Sequence, residues 1–146
     1  MEIDLIIGSF IIGIINLLLF QKVFFNKKLI KSYQKESIFE NFICTHTLEN
    51  RYIFQDTDIG INKNYIIGHS HQQYEINQNG FKILNPGSVG QNRKYINEIN
   101  FMIYDTIRQK PDFRSVLYDV EIVIKQMENM GYPEQCLDYY RKKQRK

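Results

Sequence analysis

The stretch NYIIGHSHQQYEINQNGFKILNPGSVG, residues 64–90, leaves this chain few ways to fold. Its apolar runs, YIIG at 65–68 and FKIL at 81–84, are too short for helices and are bounded by turn formers, the pattern of buried strands. Asn79-Gly80 is a hairpin signal, because both positions tolerate the positive φ that a tight turn demands. NPGSVG at 85–90 is a second tight turn region. Strands cannot stand alone, and the sequence offers partners: ENFICT at 40–45, INFMIYD at 99–105 and FRSVLYD at 113–119, the last two joined across TIRQKPD. Residues 47–63 are polar and read as a loop. After the strands, 119–130 has a helical pattern with Asp119 as N-cap and Gly131 as its stop, and Pro133 starts a last helix. Residues 5–36 read as helical, apolar first and then basic. The order is helix, short strands, helices, which is an α+β pattern.

Two segments carry more than one reading. LIIGSFIIGIINLLLFQ, residues 5–21, contains no charge. At this length it sits at the lower limit for a membrane span, with Lys22, Lys27, Lys28 and Lys31 marking the cytoplasmic side. It reads equally as a helix buried on all faces. The acidic residues Glu2 and Asp4 before it argue against a signal peptide. At the other end, the formal charge of the chain is +3, and RKKQRK at 141–146 holds five positive charges, so the rest is slightly acidic. Such a cluster is a solvated helix end or a contact for nucleic acid or anionic lipid. Cys44 and Cys136 form no CxxC pattern, which implies neither a disulfide framework nor a structural zinc site and points to a reducing, cytoplasmic setting. The organisation expected is a helical segment at 1–36, a domain at 37–140 and a basic tail at 141–146.

The chain has only three histidines, His46, His69 and His71. All three follow apolar strand ends. His69 and His71 have period-two spacing, which on an extended segment puts both rings on one side. Neutral imidazole is the commonest metal ligand, and Gly68 lets the backbone turn sharply or approach another group closely. GHSH is therefore a candidate metal loop, although surface or core histidines satisfy the same spacing.

Taken together, FICTHT, IIGHSHQQYEINQNGFKILNPGSVGQNR and SVLYDVEIVIKQMENMGYPEQCL closely resemble the C-terminal half of the calcineurin-like metallophosphoesterases, and most of all the small bacterial phosphodiesterases among them. The resemblance covers roughly residues 38–140. It implies a four-layer αββα sandwich and two divalent metals sharing an activated water. By the same resemblance His46 and His69 bind one metal and His71 the other. Asn85 and Gly87 shape the turn behind the metal loop, and Arg93 contacts a phosphate or stays solvated. The metals implied are Mn²⁺ or Zn²⁺, with Ni, Fe or Mg as further options.

The sequence also departs from that family. Its first three motifs, DxH, GDxxD and GNHD, do not occur here. Three neutral imidazoles supply no negative charge to hold two dications. The expectation is a partial metallophosphoesterase sandwich with an apolar N-terminal helix, hydrolytic by ancestry and inactive alone. The missing motifs are expected in a complementing N-terminal half or in the upstream DNA. A non-catalytic scaffold, the role this fold has in the retromer complex, and a domain anchored in a membrane by residues 5–21 are the alternatives. A phosphate ester is the expected substrate of an active form, and no nucleic-acid partner is legible.

Overall fold

The computed structural model describes residues 6–7 and 35–146. The strands are β1 (Ile6–Ile7), β2 (Glu36–Phe39), β3 (Phe42–Thr45), β4 (Asn64–Ile66), β5 (Gln73–Gln78), β6 (Phe81–Pro86), β7 (Glu98–Asp105) and β8 (Lys110–Leu117). The helices are α1 (Val120–Asn129) and α2 (Glu134–Lys142). A five-stranded sheet runs in the order β2-β3-β4-β6-β5, and a three-stranded sheet in the order β1-β7-β8. β3, β4 and β6 are parallel, while β2 and β5 close the edges antiparallel.

The expected strands form, and the Asn79-Gly80 turn joins β5 to β6 with both residues at positive φ. α1 starts where its cap predicts: the Asp119 carboxylate accepts from the Glu121 amide at 3.0 Å. The mixture of sheets and helices is the α+β class the sequence implies. The helical reading of 5–36 is corrected wherever the structure describes it. Ile6 and Ile7 pair as a strand with Ile103 and Met102 of β7, and Glu36 opens β2. The rest of that segment, with residues 5 and 8–21 of the apolar run, lies outside the described residues. Among the described residues no helix is long and apolar enough to cross a membrane.

Two apolar cores flank the five-stranded sheet, because alternate residues of a strand face opposite sides. On one face Phe42, Ile66 and Leu84 pack against Met102 and Tyr104 of β7, so the two sheets lie face to face. Gln73 ties them at their edge, its side-chain amide lying 2.9 Å from the Phe101 carbonyl and 3.1 Å from that of Arg114. On the other face Ile67, Tyr74 and Ile83 pack against Ile53, Ile59 and Ile61. Those three isoleucines belong to the stretch 47–63. This loop is thus a covering layer with a buried side, anchored by the Tyr74 hydroxyl donating to the Ile53 carbonyl. Among the described residues this loop, and no helix, covers that face. α1 and α2 instead enclose Ile96 through Val120, Ile124, Met127 and Leu137.

The basic tail is not a frayed helix end. Past α2 the chain returns along the approach to β7: the Ile96 amide donates to the Gln144 carbonyl at 2.9 Å, and the Lys146 amide donates to the Asn97 side chain at 2.9 Å. Lys146 also pairs with Glu98 at 2.7 Å, and Arg145 with Glu121 at 2.6 Å.

Candidate functional site

Parallel strands deliver their carboxyl ends to one edge of a sheet, and loops at that edge collect functional groups. Here β3 ends into His46, β4 into the loop at 67–72, and β6 into Gly87. Two backbone bonds lock them together: the Ile67 amide donates to the Leu84 carbonyl at 2.9 Å, and the Gly68 amide to the His46 carbonyl at 3.1 Å.

The loop after β4 is not extended. His69 (φ 63°) and His71 (φ 57°) both lie in the left-handed region. The period-two expectation of two rings on one side is therefore replaced by a bent loop that sends them to different partners. His69 faces His46, with its Nδ1 2.8 Å from His46 Nε2 and the ring centroids 4.7 Å apart. His71 is buried, and its Nδ1 sits 2.8 Å from the Gln91 carbonyl. A carbonyl only accepts, so Nδ1 carries the hydrogen and Nε2 presents its lone pair. That is the arrangement by which an outer hydrogen bond orients an imidazole ligand.

Asn85 holds this loop from behind. It is fully buried, and its amide nitrogen donates to the Gly68 carbonyl at 2.8 Å and to Ser70 Oγ at 2.9 Å. Its oxygen accepts from the Gly87 amide at 3.0 Å. Gly87 has φ 86°, and a Cβ there would stand 2.5 Å from the Asn100 Cβ. The turn after β6 thus presses against β7, where the Asn100 amide donates to the Ser88 carbonyl at 2.9 Å. Close approach belongs to Gly87 and not to Gly68, where an added Cβ would meet its nearest neighbour, His46 Nδ1, at an ordinary 3.7 Å.

Burial, and then the charge of the neighbouring histidines, pushes the His46 pKa down from the ordinary imidazole value. Burial also lowers His71, opposed by the Gln91 carbonyl and reinforced by Arg93 and His69. Both shifts favour the neutral ring, the form that coordinates a cation. Arg93 is exposed beside His71 and lines a cleft with residues of the tail. Sequence reasoning missed Tyr52. Its ring stacks on His69 at 4.0 Å and 23° and lies parallel to Phe54 at 6.1 Å. Nothing in the loop sequence marks that contact.

Among the described residues no group of three or more His, Cys, Asp or Glu side chains comes together to hold a metal ion. Asp56 and Asp58, the acids of the covering loop, are exposed. The donor set present is thus two facing imidazoles with a third held apart. Two imidazole nitrogens are donors of the type that suits Zn²⁺ and its neighbours, but fewer than the three or four protein ligands of a usual zinc site. The set does not fit a two-metal cluster, which needs bridging negative charge.

No family model matches the sequence, and no curated protein matches it. Solved structures do. A metallophosphoesterase from Sphaerobacter thermophilus aligns over 77% of this chain and 60% of its own, at 19% identity and a TM-score of 0.60. A hypothetical protein from Pyrococcus horikoshii aligns over 77% of this chain and 52% of its own, at 12% identity and a TM-score of 0.62. The chain therefore spans little more than half the length of these neighbours. With the parallel strand ends and their histidines already in place, these likenesses identify the architecture as the calcineurin-like metallophosphoesterase fold.

Proposed function

We propose that this chain is the metal-binding, C-terminal part of a metallophosphoesterase, that His46 and His69 together hold one divalent transition metal, and that the chain alone hydrolyses phosphate esters very poorly. The observation that carries the reading is the His46–His69 pair, two imidazole nitrogens facing each other at 2.8 Å across adjacent parallel strand ends. A bound divalent ion would supply charge to neutralise phosphate oxygens and to acidify a bound water. The protein's own part is positional. The Asn85 clasp fixes the loop, Tyr52 covers one face of the His69 ring, and Gln91 aims His71. The αββα layering beyond the two facing sheets belongs to this same reading.

The missing element is negative charge. Carboxylates that would complete the site are supplied, in this proposal, by a complementing N-terminal half. The apolar side chains left exposed on two edge strands, Ile38 on β2 and Val116 and Leu117 on β8, suit such a partner. The reaction class is hydrolysis of a phosphate mono- or diester by the completed site.

Calorimetric titration with Zn²⁺ or Mn²⁺ tests the metal pair. Near one equivalent of weak binding is expected, lost in the His46→Ala, His69→Ala double variant. Unchanged binding in that variant would overturn the assignment. With Mn²⁺ and a bis-aryl phosphodiester, turnover on the order of 1 s⁻¹ or more would show that the residues present suffice and that the chain is a complete catalyst.

A further inference from the structure

The tail that folds back past α2 builds one wall of a cleft of about 550 Å³, lined by Gln72, Arg93, Lys94, Lys142, Lys143 and Gln144. That volume falls in the range of small-molecule sites. Gln72 directly follows His71, so the cleft begins where the histidine loop ends. Four cationic side chains line it. Lys142 pairs with Asp138 at 2.6 Å, while among the described residues Arg93, Lys94 and Lys143 have no carboxylate partner within ion-pair distance.

Both walls are built, not merely draped. On one side the buried Asn92 accepts from the Lys94 amide at 2.8 Å and from the Tyr95 amide at 3.1 Å, fixing the backbone that carries Arg93 and Lys94. On the other side the Gln144 carbonyl accepts from the Ile96 amide, and Lys146 is bonded to Asn97 and Glu98. The Lys94 ammonium lies 5.1 Å from the centre of the Tyr95 ring, and that of Lys143 lies 5.7 Å from the Tyr139 ring. A ring face steadies a cation without neutralising its charge. Among the described residues these three cations meet no carboxylate, and the field of a cleft lined by charge of one sign attracts an anion.

We infer that this cleft binds the linked phosphates of a small polyphosphorylated ligand, beside the His71 end of the histidine loop. A single phosphate would engage one or two of these side chains. A chain of phosphates offers oxygens to several of the four cations that line the cleft, where a planar guanidinium grips oxygens in pairs and ammoniums add point charge. The inference deepens the proposed function by naming the substrate class of that site, an ester carrying two or more linked phosphates. Its own affinity rests on these side chains and needs no metal.

The test is therefore run on the whole chain in the presence of EDTA. Inorganic tripolyphosphate and orthophosphate are titrated calorimetrically, and a short oligothymidylate serves as the nucleic-acid probe. Tripolyphosphate is expected to bind well above orthophosphate, weakening as salt is raised. The Lys94→Glu, Lys143→Glu double variant is expected to lose about tenfold or more in affinity, roughly 1.4 kcal/mol. The Lys125→Glu variant changes charge on the exposed side of α1 and is expected to bind as before. Circular dichroism of each variant verifies folding, and Arg93→Gln gives a milder second reading. No binding of tripolyphosphate, equal losses in all the variants, or binding confined to the oligothymidylate would each overturn the inference. Loss of metal binding with tripolyphosphate binding intact would remove the proposed metal pair and leave the cleft standing.

Discussion

Replacing Asn85 by alanine removes three hydrogen bonds at once from a site with no solvent access. Each is worth about 1 kcal/mol net, so the bonds alone come to about 3 kcal/mol. Ser70, itself 1% exposed, would lose the donor it accepts from. The Gly68 carbonyl keeps the Ser70 amide at 2.8 Å and is only partly stripped. A net loss of about 3–4 kcal/mol is expected, a large share of the 5–15 kcal/mol typical of a domain. Ser70→Ala removes one of the three bonds and should cost about 1 kcal/mol. Urea unfolding followed by circular dichroism measures both. Asn85→Ala should also weaken binding of Zn²⁺ by the folded protein, because the loop under His69 loses the Asn85 bond to the Gly68 carbonyl. If Asn85→Ala costs no more than Ser70→Ala, the clasp does not hold the loop and the account of NPGSVG given above fails.

Gly87→Ala is expected to destabilise the fold by about 2 kcal/mol or more, since it adds a Cβ 2.5 Å from the Asn100 Cβ at a φ of 86°; a shift in the urea midpoint reads it, and Gly68→Ala, with ordinary contacts, should shift it far less. Tyr118 donates to the Ile96 carbonyl at 2.6 Å, and burial, with Tyr140 nearby, pushes its pKa from 10.0 up to about 12. Its folded value is raised, so its contribution to stability is fully present below pH 10 and fades as pH rises through about 12. Ultraviolet titration should show a late phenol that Tyr118→Phe removes, and an unchanged alkaline curve would refute the assignment. Ile53→Ala should cost about 2–4 kcal/mol by thermal or urea unfolding, because Ile53 is 1% exposed beneath the covering loop; a loss below about 1 kcal/mol would mean that the loop 47–63 is not part of the core.

Strand and turn residues were legible because each carries its own signal. Asn79-Gly80 needs positive φ, Asp119 needs an amide to cap, and the short apolar runs need sheet neighbours on both faces. The covering loop was not legible, because Ile53, Ile59 and Ile61 are spaced among polar residues with no regular period, and only the sheet beneath them gives them a common side. The tail misled for a related reason. Its five charges look like a solvated end, yet its anchors are backbone groups of Gln144 and Lys146, which no side-chain pattern reports. At the site the structure sets His46 beside His69, while the contacts of Tyr52 and of the Gln91 carbonyl come from loop geometry invisible in a linear pattern.

The left-handed backbone at His69 and His71 bears on how such a loop can serve a metal at all. A non-glycine residue in that region costs roughly 1–2 kcal/mol, and two of them in three residues work against the loop's own preference. Glycine or asparagine would sit there with less strain. The opposing forces are visible. Asn85 grips the Gly68 carbonyl on one side of His69 and Ser70 on the other, and the Gln91 carbonyl holds His71. Strain of this kind persists only where surrounding structure over-determines it, and it clusters where geometry has a job to do. In the proposed metal site the loop would accordingly be set before an ion arrives. An ion that met a floppy loop would lose affinity to the ordering of two side chains and their backbone. If His46 and His69 hold an ion as proposed, with no carboxylate beside them among the described residues, that preorganisation would be the main source of its affinity.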